Sequence, residues 1–275
     1  NILGKLRMEK DKCFAYSHHT FCDKNGFLLS NTTIPGNVHD SVSFYKAYEE
    51  LNQKFRYQIE NVCLDAGYLT PAICKEIISN GHTPLLPYKR PMTKKGFFRK
   101  YEYTYDEYFD CYICPNNKIL NYSTTDKNGY KIYKSNPEKC KNCPFKDRCT
   151  ESKNNQKIIT RHVWEKYKEY TNELRYTKLW KELYPKRKET IERVFGDCKE
   201  LHCLRYTRLR GLKKNSHNAT MIFTCHNLKK MARWMWESGL RRPLNILNFP
   251  KLFQIIKFFM KKASSFYFEL TLSTV

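Results

Sequence analysis

The sequence predicts an α/β fold interrupted by a cysteine-rich insertion, and three observations carry that expectation. Residues 13–86 read as strand, strand, helix, strand, helix, strand, the alternation of an α/β core. From about Pro87 to Gln156 tyrosine, lysine and cysteine dominate, and long periodic stretches vanish. From Val163 helical periodicity takes over and lasts to Glu237.

Each element has a local reason. Cys13–Cys22 and Phe27–Ile34 are rich in aromatic and β-branched residues, and Asp23-Lys24-Asn25-Gly26 between them is a hairpin signal. Pro35-Gly36-Asn37 ends the second strand, and Asp40-Ser41 is expected to cap a helix reaching Leu51. Of His18 and His19 only one can face the core, and neither reads as more than a satisfied or exposed histidine. Asn61–Asp65 is a short buried strand ending in an acid. Ala66-Gly67-Tyr68 makes the turn, and Thr70-Pro71 opens a helix through Ser79, with proline early, where its missing N–H costs little. Thr83–Leu86 and Lys157–Arg161 read as strands. Val163–Leu183, Lys186–Leu204 and Lys213–Glu237 read as helices. The organisation expected is a core of residues 1–87 and 157–240, an insertion of residues 88–156 and an amphipathic tail of residues 241–275.

Composition narrows the function. Hydrophobic residues are 41% of 275, enough for a folded core and too many for a disordered chain. Lys+Arg total 50 against 27 for Asp+Glu, a net charge of +23, which points to a polyanionic partner. A membrane-spanning role is excluded. The most apolar run, Leu244–Met260, is broken by Pro250, Lys251 and Lys257, whereas a span needs about 20 mostly apolar residues. No signal peptide is read at the N-terminus, and a first residue of Asn1 rather than Met suggests a start inside a longer reading frame. Without a secretory signal, the twelve cysteines are read as thiols or metal ligands, not disulfides.

Two acids stand out. Asp65 lies just past the end of a buried strand, where open α/β sheets place ligands; a turn-capping aspartate is the equal alternative. Glu192 lies on a helix whose Ile191, Phe195, Cys198 and His202 form a buried stripe. Lys188, Glu192 and Lys199 share one edge of that stripe, an acid flanked by two cations as a metal-bound phosphate would require. A solvated, charge-laced helix is the commoner meaning of such a pattern. The paired Cys111-x2-Cys114 and Cys140-x2-Cys143, followed by Cys149, read as a zinc ribbon with five cysteines for four positions. Reduced, buried thiols are the plain alternative, and the other seven cysteines read as small core residues.

Taken in order, Gly36-Asn37-Val38-His39-Asp40-Ser41, Leu64-Asp65-Ala66-Gly67-Tyr68 and Glu189-Thr190-Ile191-Glu192-Arg193-Val194-Phe195-Gly196 resemble the core motifs of bacterial insertion-sequence transposases with a DDE active site. The resemblance runs from about Cys13 to about Trp236. It implies an RNase H-like fold, a mixed sheet with a hairpin edge flanked by helices. It implies metal-dependent cleavage and transfer of double-stranded DNA strands by a homodimer in the bacterial cytoplasm, at the nucleoid. Asp65 would be the second catalytic carboxylate and Glu192 the third, both holding Mg2+ or Mn2+. Lys199 resembles the family's DNA-contacting lysine. Tyr184 and Arg187 resemble its upstream partners, with Arg187 one residue out of the usual register, and Arg187, Lys188 and Lys199 are the expected DNA contacts. The first carboxylate is the departure. The family carries it on a strand before the hairpin, followed by Gly-Thr or Ser-Thr, and neither Asp11 nor Asp23 has that setting. The family's cysteine directly before a proline matches Cys114-Pro115, so the zinc ligands implied are Cys114, Cys140, Cys143 and Cys149, with Cys111 as alternate. The alternatives are a non-catalytic zinc-containing DNA-binding protein, as a remnant or a domesticated copy, and a metal-dependent nuclease of the RNase H type.

Overall fold

A computed structural model of the chain describes residues 6–8, 12–55 and 59–239. A short antiparallel pair, β1 (Leu6–Met8) and β2 (Lys12–Phe14), comes first. The expected hairpin follows as β3 (Tyr16–Cys22) and β4 (Leu28–Pro35). Its turn closes because Asp23 Oδ1 accepts the backbone N–H groups of Asn25 at 2.9 Å and Phe27 at 2.7 Å, while Gly26 takes φ 80°. Helix α1 (Asp40–Phe55) lays Phe44, Ala47, Tyr48 and Leu51 into the core, the i, i+3, i+4, i+7 spacing of one helical face. Its cap differs from the expected one. His39 Nδ1, not Asp40, accepts the backbone N–H of Ser41, at 3.2 Å.

A βαβ unit comes next. β5 (Asn61–Cys63) pairs in parallel with β6 (Thr83–Leu85), and α2 (Pro71–Ser79) makes the crossover. Thr70 Oγ1 accepts the Ile73 N–H at 3.3 Å, so the Thr-Pro start works as read. One core cluster joins α1, β5 and α2 through Phe44, Tyr48, Val62, Leu64, Ile73 and Ile77. The structure is thus mixed α/β with helices against short sheets. Among the described residues the hairpin and the parallel pair are separate two-stranded ladders, where the sequence suggested one mixed sheet.

The cysteine-rich region is more regular than its composition suggests. β7 (Thr104–Asp106), β8 (Cys111–Ile113), β9 (Ile119–Thr125), β10 (Tyr130–Ser135) and β11 (Ile158–His162) form a five-stranded antiparallel sheet in chain order. Helices α3 (Pro137–Lys141) and α4 (Lys146–Cys149) fill the link before β11. The strand expected at Lys157–Arg161 therefore has its ladder partner in this sheet, in β10. The interior is mostly aromatic: Phe98, Tyr103, Tyr112 and Tyr133 pack with Leu120 and Ile159. Tyrosine hides the strand signal, because its ring packs inward while its hydroxyl stays polar. Asp110, at φ 44°, accepts from the hydroxyls of Tyr105 (2.7 Å) and Tyr133 (2.6 Å) and from Lys131 Nζ (2.8 Å).

The helical part departs from expectation at two points. The helix read over Val163–Leu183 breaks into α5 (Glu165–Glu173), a 3-10 turn (Leu174–Tyr176) and α6 (Lys178–Arg187). Thr177 Oγ1 accepts the Trp180 N–H and restarts the helix. The chain then continues through a π turn (Lys188–Glu192) into α7 (Arg193–Leu201) and ends its described part in α8 (Leu212–Glu237). By contacts the chain divides into two units, 1–223 and 224–275, inside α8. In the first unit Val194 and Cys198 of α7 pack with Leu28, Ala219 and Phe223. None of the described helices is long and apolar enough to cross a membrane. The expected tail, residues 241–275, and Asp11 lie outside the described residues.

Burial alone would raise the Asp110 pKa, but hydrogen bonds from Lys131, Tyr133 and Tyr105 outweigh it and hold the group at about 2. A depressed carboxylate stabilises the fold above its unfolded value of about 4 and loses that contribution as pH falls towards the folded value. Asp110→Asn should lower Tm by a few degrees at neutral pH, and the gap from wild type should close between about pH 4 and pH 2. Thermal melts across that range check this; a gap independent of pH would refute it.

Candidate active site

Three side chains from two distant parts of the chain meet at the end of β5. Asp65 follows the strand and divides its carboxylate between two partners. Oδ1 accepts the Ala66 N–H at 2.7 Å and caps the 3-10 turn Ala66–Tyr68, while Oδ2 lies 3.4 Å from Arg187 Nη2. The turn-cap reading of Asp65 is met, and the same side chain also faces Arg187. Arg187 Nη1 lies 4.0 Å from Glu192 Oε1. The guanidinium is mostly buried, at 19% exposure, while Asp65 and Glu192 are 63% and 55% exposed. One half-enclosed cation thus links two open carboxylates.

The placement of Arg187 follows from α6. Trp180 Nε1–H donates to the Leu86 carbonyl just after β6, at 3.1 Å. Tyr184, one turn on, stacks on Trp180 with centroids 4.6 Å apart and planes at 9°. Arg187 is the third member of this i, i+4, i+7 stripe, so the helix face anchored at Leu86 carries the guanidinium to Asp65. Burial raises the Tyr184 pKa, and Arg187, Asp65 and Glu192 all act on it electrostatically, so its hydroxyl belongs to the same neighbourhood.

Arg187 and Glu192 stand five residues apart, and the wide turn Lys188–Glu192 brings them together. On a regular α-helix that spacing would turn Arg187 away from Glu192. Widening a helix costs a backbone hydrogen bond, and Thr190 compensates: its Oγ1–H lies 3.0 Å from the Lys186 carbonyl and 3.1 Å from that of Arg187. Lys188 and Lys199 are exposed.

A second neighbourhood lies beside the Asp65 turn. The buried His19 shares a hydrogen bond between Nδ1 and the Tyr68 hydroxyl. Burial lowers the His19 pKa against the opposing effect of Asp40. His18 hydrogen-bonds Thr33 at 3.0 Å and is held near 4, first by burial and then by His19. Asp23 Oδ1 is engaged in its own turn.

The five cysteines separate into two environments. Cys111 is buried in β8, and the charges acting on it are Asp106 and Asp110. Burial raises the Cys149 pKa, Tyr103 and Lys157 oppose that, and Cys140 and Cys114 act on it electrostatically, so these three thiols share a neighbourhood. Lys118 N–H donates to Cys114 Sγ at 3.3 Å, Asn116 Nδ2–H to Cys143 Sγ at 3.4 Å, and the Cys140 thiol to Ser135 Oγ at 3.3 Å. Among the described residues no three His, Cys, Asp or Glu side chains reach metal-binding distance, at the cysteines or at Asp65.

Residues 113–232 match a family model described as a transposase DDE domain. The matched stretch holds Glu192, Arg187, Lys188, Lys199, Cys114, Cys140, Cys143 and Cys149; Asp65 lies before it. No curated protein and no solved structure matches the chain.

Thr190→Val keeps the shape and removes the hydroxyl that serves two carbonyls. It should cost about 1 kcal/mol in urea denaturation, and Thr190→Ser should restore most of it. An unchanged midpoint in Thr190→Val would show that the π turn does not depend on this hydroxyl.

Proposed function

We propose that the chain is the DNA-handling portion of a DDE transposase with an RNase H-like core, in which Asp65 and Glu192 are two of the three catalytic carboxylates. The observation that carries the reading is the guanidinium bridge between these two acids, which lie far apart in the chain. The family match over residues 113–232 supports it. A shared cation between two half-exposed carboxylates marks an electronegative position built from hard oxygen donors, a fit for Mg2+ or Mn2+. Bound there, such an ion would stabilise the attacking and leaving oxygens of an in-line displacement at phosphorus. Asp65 and Glu192 would hold it, and Arg187 would turn its guanidinium to phosphate oxygens as the carboxylates take up the metal.

With Asp23 engaged in the hairpin turn, no acid of residues 12–23 completes the set. The isolated chain is therefore expected to be deficient in strand transfer. Double-stranded DNA is the polyanion that the charge of +23 anticipates. Of the three cations assigned to DNA, Lys188 and Lys199 are exposed and ready, whereas Arg187 is tied to the two acids. Two transposon ends must be held together, which a homodimer would do, in the cytoplasm on the bacterial nucleoid. Zinc at Cys114, Cys140, Cys143 and Cys149 would close one end of the insertion; their shared neighbourhood and N–H···S contacts support this set over one with Cys111. A non-catalytic zinc-containing DNA-binding protein is the second reading, favoured by Arg187 standing between the two acids where a metal ion would sit.

The reading is tested by assaying Mg2+-dependent DNA strand transfer with a chain supplemented by an upstream segment carrying an acid. Asp65→Asn and Glu192→Gln should each lower the rate at least about a hundredfold, since each removes a metal ligand. Activity unchanged in either variant overturns the catalytic assignment, and binding without activity in the supplemented chain leaves the second reading. DNA affinity should fall steeply with salt, by about 0.9 log units per log unit of salt for each phosphate contacted. A flat response between low and moderate salt would refute DNA binding through charge. Elemental analysis of protein purified without chelator should give about one zinc per chain, and none in a Cys140→Ser, Cys143→Ser double variant.

A further inference from the structure

Asp40 is a carboxylate beside the Asp65 turn that the site described above does not use. It opens α1, yet His39 supplies that helix's cap, and among the described residues the Asp40 carboxylate makes no hydrogen bond. Its Oδ2 sits against Gly67, where an added Cβ would come within 3.2 Å. The missing side chain at Gly67 therefore lets Asp40 approach the turn that Asp65 caps. Its Oδ1 lies 3.9 Å from His19 Nε2.

His19 is 7% exposed, and Nε2 is buried without a hydrogen-bond partner among the described residues. A buried polar nitrogen without a partner is costly, so its persistence calls for a ligand or a role. The 3.9 Å gap is too long for a hydrogen bond. It is shorter than two metal–ligand bonds of about 2.1 Å end to end, so one ion between the two atoms can reach both. Tyr68 holds the ring from behind through Nδ1. With Nδ1–H donating to the Tyr68 oxygen, the Nε2 lone pair is directed at Asp40, the orientation that outer-sphere partners impose on metal-binding histidines. A cleft of about 250 Å3, lined by Tyr16, Ser17 and Gly36 to Asp40, reaches Asp40 and has room for an ion's waters.

We propose that His19 Nε2 and Asp40 Oδ1 hold a divalent cation of borderline hardness, such as Mn2+, next to the Asp65 turn, with water or phosphate oxygens in its remaining positions. One imidazole and one carboxylate favour such an ion over Mg2+. No three protein ligands converge among the described residues, so this is a two-ligand site completed from solvent or substrate. The assignment stands on these distances; only its bearing on strand transfer, as a cation position beside Asp65, rests on the function proposed above.

The test is Mn2+ binding to the full chain, followed by electron spin-echo spectroscopy, which reads nitrogen bonded directly to the ion. Mn2+ is the probe because thiolates take it poorly, which keeps the cysteines out of the measurement. Wild type should show a directly bound nitrogen, and Asp65→Asn should keep it. His19→Gln should abolish it. Asp40→Asn, at a half-exposed position that should not disturb folding, should weaken Mn2+ binding about tenfold or more, and Tyr68→Phe should weaken it about tenfold while keeping the nitrogen signal. A wild-type spectrum without bound nitrogen, a signal that survives His19→Gln, or an affinity untouched by Asp40→Asn each overturns the proposal. In the supplemented chain used for the strand-transfer assay, loss of activity in Asp65→Asn with the nitrogen signal intact would uphold both assignments. Strand transfer unaffected there by Asp65→Asn would overturn the function proposed above and leave this site standing.

Discussion

Asp65 and Glu192 carry like charges and stand close enough to share one partner, so something positive has to lie between them. Arg187 supplies it, with one nitrogen 3.4 Å from Asp65 and another 4.0 Å from Glu192. Because the guanidinium is largely enclosed while the acids are open, its charge is screened less than theirs. What surrounds it serves its placement. The indole of Trp180 fixes α6 to the end of β6, Tyr184 stacks on that indole, and the next turn delivers the arginine. The parallel pair β5–β6 thereby sets both the position of Asp65 and the anchor of the helix that answers it.

Much of the first half was legible because its signals are local. Asp23 to Gly26 closes the hairpin through the aspartate's own side chain, and Thr70-Pro71 starts α2 by a cap that two residues suffice to specify. Asp65 stood out through its position after a strand, with the turn cap as the equal alternative, and the cap is what its Oδ1 forms. What was not legible depends on partners far away in sequence. The swap of the α1 cap from Asp40 to His39 turns on where two neighbouring side chains point, which no spacing rule decides. Arg187 could be named from its resemblance but not placed, because its alignment with Glu192 depends on a change of helical pitch. Glu192 itself needed the resemblance to rise above Glu189.

The insertion teaches a different lesson. Its strands are three to seven residues long and mix tyrosine with polar residues, as β10 mixes Tyr130 and Tyr133 with Lys131 and Lys134, so the apolar alternation is weak. The fold resolves this with ring-on-ring packing, as between Tyr112 and Tyr133 at 5.1 Å, and by collecting phenolic hydroxyls on the Asp110 carboxylate. A carboxylate that gathers three donors can accept a left-handed backbone conformation, because those bonds repay the strain. The sheet also draws β11 into the insertion's own ladder, so this region builds a core distinct from that of α1 and α2.

The π turn between α6 and α7 bears on how relatives of this chain are to be recognised. Helices are ordinarily treated as gapless when sequences are compared, since one extra residue rotates everything beyond it by about 100°. Here the helix widens over the single turn Lys188–Glu192, and Arg187 and Glu192 come within reach of each other across it. Against a relative whose helix is regular, a comparison without gaps would misplace by one residue everything on the far side of such a turn. Lys188–Glu192 is where a gap in this helix would then belong.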